Sequence, residues 1–206
     1  MTTAPRTTAP LGGTVELDGL SRYAAQAAAG LTVAGAVSLG VFFAIGEPWG
    51  TINDWLSIGL AGATVPIAIG LASRQPHRAP LILGAALDVA GVAVSTAFTS
   101  MLIARRMTFE ESLSGVLGGQ ALIGCWLILV GVAARSEPRT RRTAAFAVAG
   151  GAGLVATAVG IATGGMSSPV GLAGFVAGLI GTVGFYALLG RRGAYVSRKF
   201  RDAVRV

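Results

Sequence analysis

Cysteine and histidine are almost missing from this 206-residue chain, which holds one of each, Cys125 and His77. One cysteine cannot build a disulfide framework. Zinc or haem sites made from several His or Cys ligands are equally out of reach, so neither a metal site nor a cofactor is expected. Charge is scarce too: Asp, Glu, Lys and Arg make up 12% of the residues, about half the share of an ordinary soluble domain. There is no Walker loop and no HExxH pair. The apolar runs contain no lysine for a retinal Schiff base and no Ser–His dyad for hydrolysis.

What fills the space is apolar. Hydrophobic residues supply 53% of the chain and Gly another 31 positions, with a mean hydropathy of +0.70. Disordered chains are polar and charged, so disorder is excluded over most of the length. A helix needs about 20 apolar residues to cross about 30 Å of hydrocarbon. Six stretches qualify: 23–45, 55–73, 81–104, 113–134, 143–163 and 170–190. A soluble helical bundle would show polar faces along these runs, and they have none. Barrel strands of about 10 residues would alternate in and out, and the runs are too long and continuous for that. The fold class is therefore all-α: a polytopic membrane protein with six transmembrane helices.

Orientation follows from where Arg and Lys sit. With the N-terminus inside, the cytoplasmic segments hold Arg6, Arg22, Arg74, Arg78, Arg135, Arg139, Arg141, Arg142, Arg191, Arg192, Arg198, Lys199, Arg201 and Arg205, against only Arg105 and Arg106 outside. Both termini are then cytoplasmic, in a multi-pass protein of the plasma membrane of the bacterial inner-membrane kind. This topology accounts for the net charge of +7, so no nucleic-acid partner is expected. Residues 1–20 read as a flexible cytoplasmic tail rich in Thr, Pro and Gly. Residues 21–192 form the six-helix domain. Residues 193–206 form a basic amphipathic tail, with Val196, Phe200, Ala203 and Val204 on one helical face and Arg198, Arg201 and Arg205 on another. That pattern suits the headgroup layer, so the expected partners are the lipid bilayer and anionic lipid at the tail. The glycine faces add a homo-oligomer or a membrane protein partner.

The odd spans share a pattern of small residues, at 24–30, 85–91 and 144–150, which points to three tandem hairpins of about 60 residues. Small residues let helix backbones approach one another in lipid. The sixth span has Gly171, Gly174, Gly178 and Gly181 on one face, and Pro66 is expected to kink the second. Helix starts are written at Thr51–Asp54, at Thr108–Glu111 and at Ser168-Pro169.

Few residues carry chemistry. Asp88 is the one acid well inside a span, where a carboxylate costs about 2.5–3.5 kcal/mol on insertion scales. Residues held at that cost often face a cavity or a polar partner and are often functional. Gly84, Gly91, Ser95 and Thr99 share its helical face. Asp88, Ser95 and Thr99, with Gln120 of the fourth span, are the candidates for proton or substrate binding. The structural alternative is a buried Asp88 hydrogen-bonded to a neighbouring hydroxyl, to Gln26 or to Gln120. Glu47, Trp49, Asn53 and Asp54 form a second candidate group at the outer face, which serves equally as an aromatic belt and helix cap. No catalytic residue is assigned. The reading these residues favour is a small-solute permease, proton-coupled through Asp88. The alternatives are a non-catalytic membrane subunit that binds a partner protein, and an intramembrane lipid- or isoprenoid-modifying enzyme with Asp88 as general acid.

Overall fold

The structure, a computed structural model, describes the backbone at residues 19–73, 79–135, 138 and 140–203, and side chains as far as Arg191. Regular structure among the described residues is entirely helical: α1 (Gly19–Ile45), α2 (Trp49–Ser73), α3 (Ala79–Ile103), α4 (Phe109–Ala134), α5 (Arg141–Gly164) and α6 (Pro169–Ala203). All six are long and apolar enough to span a membrane. The chain is a multi-pass helical membrane protein. The N-terminal tail before Gly19 and the side chains of the basic C-terminal tail lie outside the described residues.

All six helices start earlier than the apolar runs do, and α1, α2 and α4 do so by four to six residues. α2 begins at Trp49, six residues before the expected span, so Asn53 and Asp54 lie within the helix and Asp54 does not cap it. Glu47 does that work instead: its Oε2 accepts from the Thr51 amide at 3.4 Å and from the Thr51 hydroxyl at 3.2 Å. α4 opens on a full capping box. The Thr108 amide donates to Glu111 Oε2 at 2.7 Å, and the Glu111 amide donates back to Thr108 Oγ1 at 3.3 Å. Ser168 caps α6 through a hydrogen bond from the Gly171 amide at 3.3 Å.

Short connections at 46–48, 104–108 and 165–168 force neighbouring helices antiparallel. The packing order is a closed ring, in which each helix touches its two chain neighbours and α6 returns to touch α1. No helix crosses the ring. Three hairpins are not singled out by this order, because α2–α3 and α4–α5 pack side by side as well. The ring has a turn end, carrying those three connections, and a basic end, carrying Arg22, Arg135, Arg141, Arg142 and Arg191.

Lipid tails are as apolar as leucine, so close backbone contact holds the spans together. Along α5 and α6, Gly150 faces Gly181, Gly153 faces Gly178 and Gly160 faces Gly171. Gly124 of α4 faces Gly151 of α5, where an added Cβ would sit 2.7 Å from the opposing carbonyl oxygen. Large side chains are buried only toward the basic end. There Trp126, Leu127, Val130, Phe185, Tyr186, Ile67 and Leu81 gather with Ala25, Ala28, Ala68 and Ala147, so that every helix contributes to one core. In the turn half, every buried residue is Gly, Ala, Ser or Thr.

Candidate functional site

Asp88 is the tenth residue of α3, about 13 Å along a helix of about 37 Å. Its side chain is 0% exposed and sits at the upper margin of the core. Thr64 of α2 reaches it, with Oγ1 3.2 Å from Asp88 Oδ2. The same hydroxyl lies 3.0 Å from the Ala61 carbonyl oxygen. A hydroxyl has one proton to donate. The Thr64 hydroxyl is the donor to both acceptors, so its one proton is shared between the Asp88 carboxyl and the Ala61 carbonyl. The other carboxyl oxygen, Oδ1, is buried with no hydrogen-bond partner.

A second orphan lies one turn along the same face. A Cβ on Gly84 would meet Trp126 Cδ1 at 3.1 Å, so the glycine makes room for the indole. Trp126 is 0% exposed, and its Nε1 has no acceptor. Phe185 packs edge-on against Trp126, with ring centroids 6.2 Å apart, and Tyr186 follows it at 5.2 Å. The interior therefore combines a carboxyl, a hydroxyl and an indole N–H in an aromatic and alanine-lined surround. Thr143 Oγ1 of α5 is a third buried atom without a partner, and each such group carries a penalty of about 1–3 kcal/mol.

The other expected site residues separate into two places. Ser95 and Thr99 are buried on the face of Asp88. They lie seven and eleven residues further on, about 10 and 16 Å up the helix. Ser95 packs against Gly119 at the α3–α4 seam. Gln120, next to that seam, is half-buried. Gln26 is exposed and lies against Gly190 of α6, so it does not serve Asp88. At the turn end, Glu47 is exposed, while Trp49, Asn53 and Asp54 are half-buried. Trp49 is tied to α1 by a hydrogen bond from the Ser38 hydroxyl to its carbonyl at 2.8 Å. The Asn53 side chain lies against Gly35. This group is thus built into the α1–α2 contact. No cluster of three His, Cys, Asp or Glu side chains occurs among the described residues.

Thr64, Trp126 and Tyr186 escape a reading of the sequence. A lone Thr in a span is common, but two large aromatics in the span interior, away from the interfacial belt, are a signal that was there to be read. The fold and site together define a class: a six-span helical membrane protein with a carboxyl sealed inside its ring. No protein-family model, curated protein or solved structure matches the chain.

Proposed function

We propose that this chain is a small-solute permease, coupled to protons through Asp88. The observation that carries the reading is the buried carboxyl whose Oδ1 has no partner. A purely structural acid would be expected to have both oxygens satisfied, because an orphaned buried acceptor is destabilising. The Thr64 hydroxyl on Asp88 Oδ2 supports the coupling, since a hydroxyl can donate to an ionised carboxyl and accept from a protonated one. The small size of the buried residues in the turn half supports an approach to Asp88 from that side, and the aromatic core supports a barrier below it. Termini on the cytoplasmic side of a plasma membrane belong to the same proposal, on the charge bias of the segments.

The test is proton movement into proteoliposomes with an entrapped pH dye, under an imposed potential and with a panel of small solutes outside. The wild-type protein is expected to acidify the lumen with at least one solute, and Asp88→Asn to abolish that signal. Equal signals from both proteins would remove Asp88 from the coupling.

A second reading is a membrane subunit that binds a partner protein. It is favoured by α1, in which only Ser21, Ala25, Ala28 and Ser38 are buried. Val33, Val37 and Phe43 form an exposed run toward the turn end. A stoichiometric second protein after mild purification from native membrane would support it.

A further inference from the structure

Thr64 stands between two acceptors with one proton to give. Its Oγ1 lies 3.0 Å from the Ala61 carbonyl oxygen of its own helix and 3.2 Å from Asp88 Oδ2 of α3. How that proton divides depends on charge. A hydrogen bond to an ionised carboxylate is about twice as strong as one to a neutral acceptor, so ionised Asp88 draws the hydroxyl toward α3. A protonated carboxyl is the weaker and more distant acceptor, which leaves the hydroxyl on Ala61. A threonine hydroxyl bonded back to its own helix bends that helix.

This contact falls where α2 resists bending least. Pro66 lies two residues further on and has no amide proton, so the Gly62 carbonyl, next to that of Ala61, lacks its helical donor. From Pro66 onward the helix is pinned: Ile67 and Ala68 sit in the core, and the Ser21 hydroxyl donates to the Pro66 carbonyl at 3.1 Å. Before Pro66, α2 is fastened to α1, through the Ser38 hydroxyl on the Trp49 carbonyl and through Asn53 against Gly35. Ser38 is the one buried residue in the turn-end half of α1. The turn-end halves of α1 and α2 are therefore built to move as a pair. The surroundings of Asp88 leave its own charge as the control. α3 packs against α2 and α4. Around Asp88, α4 presents Trp126 at Gly84, and Gly119, Leu122 and Ile123 at Gly91, none of which titrates. From α6, Tyr186 is within electrostatic reach of the carboxyl, and a phenol stays neutral below about pH 9.

We propose that Thr64 is a positioning residue that converts the protonation of Asp88 into a bend of α2 at Pro66, carrying the α1–α2 turn with it. The proposal rests on the permease reading for its purpose, since it supplies the conformational step that proton coupling requires.

The experiment uses the full chain in lipid nanodiscs, with Cys125→Ala and spin labels at Ile52→Cys and Ser167→Cys, two exposed positions at the turn end. Ile52 precedes Pro66 by fourteen residues, a lever of about 21 Å, so a change in bend of about 5–10° moves the label by about 2–4 Å. Double electron–electron resonance is expected to show a shift of that size between about pH 5 and about pH 9, a range over which buried carboxyls titrate. Asp88→Asn should fix the distance at its low-pH value, which separates Asp88 from the acids at the turn end. Thr64→Val should remove the pH dependence, and Thr64→Ser should restore it. Pro66→Ala, which returns the missing donor, should shrink the shift. A shift that survives in Thr64→Val would overturn the proposal, and so would an unchanged shift in Pro66→Ala. A distance that ignores pH in a wild-type protein that still moves protons with solute would also overturn it, and would leave the permease reading standing. A pH-dependent distance that follows Thr64, in a protein that moves no protons with any solute, would support the switch and refute the permease reading.

Discussion

The two ends of the ring are built on different principles. At the basic end, large side chains from α2, α3, α4 and α6 meet alanines of α1 and α5, and Trp126, Phe185 and Tyr186 are nearly inaccessible. At the turn end the buried positions are all small, and helices are joined pairwise where glycine backbones touch. The first arrangement packs bulk against bulk, while the second packs backbone against backbone. Asp88 sits at the boundary between them, with Thr64 beside it and Trp126 just below. One helical ring changes from the first arrangement to the second through the size of the residues that face inward.

The sharpest way to break the contrast is to remove bulk from the basic end. Trp126→Ala is expected to destabilise the protein by about 3–5 kcal/mol, the range for deleting a buried aromatic side chain. Leu172→Ala, at a position of the turn half that is 56% exposed, should change stability by less than about 0.5 kcal/mol. Unfolding in mixed micelles with increasing SDS reads both values. Similar losses from the two variants would show that the ends are held in the same way.

The next test attacks a seam in the turn end. At Gly160 an added Cβ would lie 2.9 Å from the Val170 carbonyl carbon, with the Gly171 backbone nearer still. Backbone cannot step aside as a rotamer does. Gly160→Val is therefore expected to cost about 1–3 kcal/mol, as overpacking does. The damage should be local. Hydrogen exchange should quicken in the turn-end halves of α5 and α6, while amides around Trp126 stay protected. Exchange rising evenly through the ring would mean that the core and the seam form one cooperative unit.

Much of the fold was legible because hydrophobic length is the main requirement of a span. The ends of α1, α2 and α4 at Ile45, Ser73 and Ala134 coincide with the ends of their apolar runs. The starts of α2 and α4 were less legible. Hydropathy sees hydrocarbon, whereas Trp49, Asn53, Asp54, Glu110 and Glu111 are polar or interfacial residues that suit a helix opening. The ring closure between α6 and α1 was not legible at all. Its contacts include Gly190 against Gln26, and Gly and Ala occur in every span, so composition cannot say which face meets which. Asp88 stood out as an acid within an apolar run. Its partner Thr64 did not, because threonine in a span usually bonds only to its own helix, as Thr32, Thr157 and Thr182 do here.

The smallest expected effects come from the turns, and they test whether the turn end is strained. α3 ends in a Schellman motif: the Arg106 amide donates to the Met101 carbonyl and the Arg105 amide to the Leu102 carbonyl, each at 2.9 Å. That geometry puts Arg105 at φ 54, in the left-handed region where glycine is the usual occupant. A side chain there costs about 1–2 kcal/mol, and glycine gives back about 0.5–1 kcal/mol through the greater freedom of the unfolded chain. Arg105→Gly is therefore expected to stabilise by about 0.5–1 kcal/mol. Gly46, after α1, is the matched control. Its φ is +81 with open space around the missing Cβ, so Gly46→Ala should destabilise by a similar amount through backbone conformation alone. Opposite signs in the same SDS titration would show that the turns are governed by local backbone preference. If Arg105→Gly instead weakens the protein, the Arg105 side chain contributes at the membrane surface more than its backbone strain removes.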